Sequence, residues 1–107
     1  MRRKEDTVKE ALLEVSEDVY HYEAHKKKDR YIVWAEDGEG SSVEADNRKA
    51  NQSIQGTIDL YTRQDGDPLK EKIQEALNRK RISFYLNSVT YEEDTGYIHY
   101  EWIWEVG

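Results

Sequence analysis

Residues 86–107, LNSVTYEEDTGYIHYEWIWEVG, decide the fold of this chain. Side chains of a strand alternate between two faces, and apolar side chains after Tyr97 keep one parity. The turn-forming segment Glu93-Asp94-Thr95-Gly96 separates two such runs, so the stretch predicts a hairpin of two long strands. In the second strand one face carries Ile98, Tyr100, Trp102, Trp104 and Val106, and the other carries His99, Glu101 and Glu105. The apolar face is either a core or an interface.

This aromatic stripe has a second possible use, because sheets that bind RNA stack bases on exposed aromatic rings. Such a platform also needs arginine and lysine between the rings. Here the intervening residues are His99, Glu101 and Glu105. The stripe therefore favours packing beneath helices.

Composition limits the class of protein. The chain has 107 residues, which we read as one domain over residues 1–107, with 36% hydrophobic and 36% charged residues. Its net charge of −7 argues against general binding to a nucleic-acid backbone. It has no cysteine for disulfides or thiolate metal sites, and no apolar run long enough for a membrane helix.

The first half of the chain predicts one helix and three strands. Helical spacing of apolar residues begins near Thr7, and strands are predicted at residues 19–24, 31–35 and 53–63. The 31–35 strand is apolar on both faces, which indicates burial on both sides or a face offered to another subunit. A polar connection containing Gly38-Glu39-Gly40 follows it. Gly56 inside the third strand predicts a bulge or a close approach of backbones.

The second half begins with the clearest helix. Asp67 suits the N-cap and Pro68 the first turn, ahead of the apolar stripe Leu69, Ile73, Ala76 and Leu77. A parity change at Asn87-Ser88 in the next strand predicts a β-bulge. The resulting order is α-β-β-β-α-β-β. It predicts an α+β fold, with a mainly antiparallel sheet of about five strands and two helices packed on one face; the short links favour antiparallel hairpins.

The residues predict no catalytic centre, metal site or cofactor site. His21, Glu23 and His25 are close in sequence, but in a strand residues four apart lie about 13 Å from each other, too far to share an ion. Gly38-Glu39-Gly40 lacks the third glycine and the helix of a dinucleotide fingerprint and predicts a flexible loop. The carboxylates of residues 92–94 lie at a predicted turn, where we expect contact with solvent to leave their pKa values close to those of free carboxylates. We therefore expect a protein that is not an enzyme.

Three segments resemble the small tail-terminator or tail-completion proteins of long-tailed bacteriophages and prophages. They are Tyr31-Ile32-Val33-Trp34-Ala35-Glu36-Asp37, then Ile54-Gln55-Gly56-Thr57-Ile58-Asp59-Leu60-Tyr61-Thr62 followed by the helix, and residues 91–102, YEEDTGYIHYEW. The resemblance covers most of the chain. Other small head–tail connectors and minor tail proteins are similar in size and in local sequence.

The resemblance implies a structural role without enzyme activity or cofactor. Subunits of such proteins form a ring, typically sixfold, that caps the tail tube and joins it to the head. The resemblance therefore implies that the protein is located in the host cytoplasm during assembly and afterwards at the head–tail junction of the virion. The implied partners are further copies of the chain, the tail-tube protein and the head-connector proteins, while DNA passes through without specific binding. By position, the candidate contact residues are Lys26, Lys27, Lys28, Glu39, Ser41, Glu44, Asp46 and Arg48. A small ligand-binding or regulatory module, with a pocket between the helices and the aromatic stripe, is the alternative of a different class.

Overall fold

The structure, a computed structural model, describes residues 3–40 and 53–107. Its elements follow the order α-β-β-β-α-β-β, which confirms the predicted α+β fold. They are α1 (Asp6–Leu13), β1 (Val19–His21), β2 (Arg30–Glu39), β3 (Ile54–Thr62), α2 (Leu69–Arg79), β4 (Ser83–Glu92) and β5 (Tyr97–Val106). Of the predicted candidate contact residues, Ser41, Glu44, Asp46 and Arg48 lie outside the described residues.

The five strands form one sheet in the order β1-β2-β3-β5-β4. All neighbours are antiparallel except β1 and β2, which pair in parallel from Val19–Ile32 to His21–Trp34. The sheet is therefore mainly antiparallel, as predicted, but the preference of short links for antiparallel hairpins does not hold for β1 and β2. The reason is that residues 22–29 return across the sheet before β2 begins, instead of turning tightly.

Both helices pack against the same face of the sheet. The core between them contains Val8, Ala11 and Leu12 from α1, Leu69, Ile73, Ala76 and Leu77 from α2, and Ile32, Trp34, Ile58, Leu60, Trp102 and Trp104 from β2, β3 and β5. The stripe of β5 is thus confirmed as core, since Trp102 and Trp104 are fully buried. Their indole N–H groups donate to Gln74 Oε1 (3.0 Å) and to the Thr57 carbonyl (2.9 Å), so burial leaves no polar atom of the rings unsatisfied.

The terminal hairpin has its predicted turn and its predicted bulge. β4 ends at Glu92 and β5 begins at Tyr97, and Gly96, with φ of 79°, donates its N–H to the Glu92 carbonyl at 2.8 Å. The register between β4 and β5 shifts at Asn87, between Leu86 and Ser88. Because of this bulge, Phe84, Leu86, Val89 and Tyr91 all face the same side as the helices, opposite Trp104, Trp102, Tyr100 and Ile98.

Two glycine predictions have different outcomes. The prediction for Gly56 is confirmed: a Cβ there would collide with the Ala35 carbonyl and the Trp104 ring, and the register with β2 shifts beside it, at Asp37, while the register with β5 is continuous. The second prediction, of a flexible loop at residues 38–40, is wrong for the first two of these residues. Gly38 and Glu39 belong to β2 and pair with Gln55 and Ile54, after a register shift at Asp37.

Asp67 ties the start of α2 to the sheet. Its carboxylate is fully buried and accepts hydrogen bonds from the Leu69 N–H (2.9 Å), the Thr62 hydroxyl (2.7 Å) and the Arg30 guanidinium (3.0 Å). The predicted capping role is confirmed, because the carboxylate satisfies an orphan N–H of the first turn. The bond from Arg30 also fixes the helix against the first residue of β2.

Candidate interaction surfaces

The edge strand β4 carries four of the six large apolar side chains that are exposed among the described residues. Tyr85 is 59% exposed, Leu86 36%, Val89 52% and Tyr91 62%. The helices cover β2, β3 and β5, and β4 extends beyond them, so its helix-side residues Leu86, Val89 and Tyr91 remain uncovered. Tyr85 points to the other face, beside Ile103 of β5. The edge therefore has an apolar row on its helix side and one exposed tyrosine among polar residues on its other face.

β4 also lacks most features that stop edge strands from pairing. Protective edges are short, carry lysine or proline, or are bulged. β4 is ten residues long, contains neither lysine, arginine nor proline, and carries one charged residue, Glu92, at its end. Only the bulge at Asn87 interrupts it. Such an edge offers its outer backbone groups and apolar side chains to another strand.

The opposite edge of the sheet is protected. Its outer strand β1 has three residues, and beyond its pairing with Ile32–Trp34, β2 continues with Glu36, Asp37 and Glu39 and a register shift. His21 of β1 stacks on Trp34, with ring centroids 4.0 Å apart, and its Nε2 lies 2.6 Å from Glu36 Oε1. A short, acidic and bulged edge resists pairing, so the two edges differ in kind.

The sheet face opposite the helices holds a groove of about 480 Å³. Residues of the connection 22–29 form one side of it, and Tyr31, Tyr61 and Tyr97 lie on the sheet side. The Tyr97 hydroxyl donates to the Lys28 carbonyl (2.7 Å), which holds the connection on the sheet. Tyr61 stacks between Tyr31 (4.8 Å) and His99 (4.3 Å). Burial, followed by the nearby Asp59 carboxylate, raises the pKa of Tyr61 to about 12, so its hydroxyl keeps its proton.

His99 is held by two carboxylates at this groove. Its Nε2 lies 2.7 Å from Asp59 Oδ1, and its Nδ1 lies 3.9 Å from Glu92 Oε2. The hydrogen bond that His99 donates to Asp59 raises the pKa of His99, and partial burial opposes that effect. Through these contacts His99 joins β5 to β3 and to the end of β4, so the arrangement stabilises the sheet face.

The structure separates the predicted contact residues that it describes. Lys26, Lys27 and Lys28 are exposed on the connection before β2, with Lys28 Nζ 3.0 Å from Asp18 Oδ1. Glu39 is exposed at the far end of β2. The lysines lie on the connection that leads into the first residue of β2, Arg30, and nine residue steps place Glu39 about 30 Å from Arg30. They therefore cannot form one patch, and sequence reasoning missed the exposed β4 edge, whose lack of basic residues was the available signal.

The two histidines considered for a metal have different surroundings. His21 stacks on Trp34 and contacts Glu36, whereas the ring of His25 lies edge-on to Tyr20 with centroids 6.0 Å apart. Within residues 3–40 and 53–107 no three histidine or carboxylate side chains cluster as metal ligands would. Over the same ranges, none of the helices has the length and apolar character needed to cross a membrane.

Comparisons with known proteins add no assignment. No protein-family model matches the chain, and no curated protein matches its sequence.

Proposed function

We propose that this chain is a structural subunit of a phage or prophage tail, a tail-terminator or tail-completion protein that caps the tail tube as a ring at the head–tail junction. The observation that carries the proposal is the β4 edge, where four large apolar side chains remain exposed on a ten-residue strand whose one charged residue, Glu92, lies at its end. A surface of this kind is typical of a protein that lies against another protein. The identity of the assembly rests on the resemblance of the three sequence segments.

A ring with a head-to-tail arrangement needs two different surfaces on each subunit. The β4 edge supplies one. We propose that the exposed lysines at residues 26–28 form the second surface. Their counterpart on the next subunit is the acidic end of β2 around Glu39, since the two groups carry opposite charge and lie at opposite ends of the sheet. The net charge of −7 supports a bore that repels DNA phosphate. A basic bore in an imaged ring would contradict this part of the proposal.

The proposal is tested by adding the purified chain to tail tubes assembled without a terminator. We expect density at one tube end in negative-stain images and an arrest of tube elongation. Val89→Lys places a charge on the β4 edge and should abolish both effects. Leu13→Lys is the matched control, because Leu13 is also an exposed apolar residue (49%) but lies on α1. Tubes that lengthen unchecked with the wild-type chain present would overturn the proposal.

Two related assignments give different images. A head connector would bind at the portal of DNA-filled heads, and a minor tail protein would bind along the tube or at its far end. Genes adjacent to the one for this chain supply a further check. We expect them to encode portal, capsid and tail-tube proteins.

The groove on the helix-free face favours a second candidate, a small ligand-binding module. The expected pocket between the helices and the stripe is absent from the described core, where Trp102 and Trp104 fill the space. The groove instead places Glu23, Asp59 and Glu92 around tyrosines, which suits an organic cation. Choline, arginine and spermidine are suitable probes, and a ligand at 100 times its Kd would stabilise the fold by about 2.7 kcal/mol. An unchanged Tm with all three probes would exclude this candidate for that class of ligand.

A further inference from the structure

The order of residues along β4 shows which partner fits its edge. Leu86 and Ser88 flank the bulge at Asn87, so Asn87 and Ser88 together occupy one position of the ladder. Counting outward from that position, Leu86 corresponds to Val89, Tyr85 to Thr90, Phe84 to Tyr91 and Ser83 to Glu92. The strand is therefore nearly symmetric in polarity about its centre. In an antiparallel pair of identical strands each residue lies opposite its counterpart about the centre, so this symmetry places apolar residues opposite apolar ones.

We propose that the free chain forms a two-fold dimer in which β4 pairs antiparallel with β4 of a second copy, giving one continuous ten-stranded sheet. A two-fold axis normal to the sheet keeps the helices of both copies on the same face. Leu86 of one copy then lies opposite Val89 of the other, and Phe84 opposite Tyr91. These pairs are apolar, and side chains opposite each other are the unit of stabilisation in antiparallel sheets.

Charge favours a second copy at this edge. Each copy carries a net charge of −7, so most of their surfaces repel each other. β4 has one formal charge, Glu92, and the two-fold register places it opposite Ser83. The two Glu92 carboxylates would lie about 27 Å apart, beyond the screening length in physiological salt. Glu101 of β5 lies beside the centre, where Asn87 Nδ2 donates to its carboxylate at 2.9 Å.

The exposed area is enough for a reversible dimer. Tyr85 and Tyr91 are each about 60% exposed, which leaves on the order of 100 to 150 Å² of each ring side chain to bury. With Leu86, Val89 and the half-buried Phe84, the edge offers roughly 400 to 500 Å² per copy. The total is close to the roughly 1,000 Å² that a specific interface needs. The dimer should therefore dissociate on dilution.

This inference goes beyond the proposed function. Pairing of β4 with β4 is symmetric, so it cannot continue into a head-to-tail ring. The dimer would instead occupy the edge strand until a subunit docks on its tail, and the two states would compete for β4. This competition would keep unattached subunits from assembling early.

Cysteine cross-linking tests the register directly, because the chain has no cysteine of its own. Ser88→Cys places two thiols next to the two-fold axis, within the range of a disulfide. Oxidised glutathione, which takes up the two electrons and protons as the sulfur–sulfur bond forms, should convert the variant to a covalent dimer. Ser83→Cys is the matched control, since its two thiols would lie about 27 Å apart and should remain uncoupled.

The mass in solution supplies the second readout. The wild-type chain and Leu13→Lys should both double in mass as concentration rises, whereas Val89→Lys and Tyr91→Lys should raise the dissociation constant roughly tenfold or more. Circular dichroism establishes that each variant is folded, and two β4 variants are used so that failure of one to fold leaves the test intact. Coupling of Ser83→Cys but not Ser88→Cys, or unchanged dimers in both β4 variants, would overturn the inference.

The two proposals fail independently. A closed ring in solution without coupling of Ser88→Cys would overturn the β4 dimer and leave the tail-terminator proposal standing. Efficient coupling of Ser88→Cys together with no effect on tail tubes would support the dimer and contradict the proposed function.

Discussion

Removal of the buried carboxylate of Asp67 should destabilise the fold strongly. Asp67→Ala leaves the Leu69 N–H without its acceptor and removes one bond of the buried Thr62 hydroxyl. Loss of a cap costs about 1 kcal/mol, and a buried polar group left without a partner costs about 1–3 kcal/mol. Arg30 is 47% exposed and can turn to water, so it adds little. We expect a loss of about 3 kcal/mol in the free energy of unfolding.

Urea denaturation followed by circular dichroism measures this loss. For a domain of this size, about 3 kcal/mol corresponds to a fall in Tm of roughly 10–20 °C. Asp65→Ala is the control, because Asp65 is an exposed carboxylate two residues earlier, and it should change stability by less than about 0.5 kcal/mol. If Asp67→Ala were as stable as Asp65→Ala, the anchoring role of Asp67 would be wrong.

Two further predictions concern the sheet. The pKa of His99 is raised by its hydrogen bond to Asp59, so this pair stabilises the fold fully below the ordinary histidine pKa and loses its contribution as pH rises through the folded-state value. The wild type should therefore exceed His99→Gln in free energy of unfolding by about 1–2 kcal/mol near pH 5.5 and by less near pH 9, and a constant difference in urea titrations would contradict this reasoning. Gly56→Ala forces a Cβ against the Ala35 carbonyl and the Trp104 ring, so we expect a loss of about 2–3 kcal/mol, measured as a lower urea midpoint, and an unchanged midpoint would refute the close approach.

Local pattern was sufficient for the terminal hairpin and for α2. The parity of β5, the turn at residues 93–96 and the parity change at Asn87 are all local features, and each is confirmed. The stripe of α2 and the role of Asp67 as a cap also follow from spacing alone. These elements could be predicted because periodicity fixes which face a residue occupies.

Features that depend on the path of the chain, or on which strands the helices cover, could not be predicted in this way. The direction of β2 relative to β1 depends on how residues 22–29 cross the sheet, and no periodicity records that path. The pair formed by Asp59 and His99 joins residues 40 positions apart. The exposure of Val89 depends on where the helices end over the sheet. The sequence shows that Val89 and Trp102 are both apolar, and only the packing distinguishes the exposed residue from the buried one.

The measurement that tests the central claim most directly is the mass of the wild-type chain and of Val89→Lys by light scattering over a concentration series. If β4 pairs with β4 of a second copy, the wild-type mass should rise from the single-chain value of 12.7 kDa towards twice that value. Val89→Lys should remain near 12.7 kDa. A wild-type chain that stays at 12.7 kDa throughout, or a variant that associates as readily as the wild type, would contradict the account.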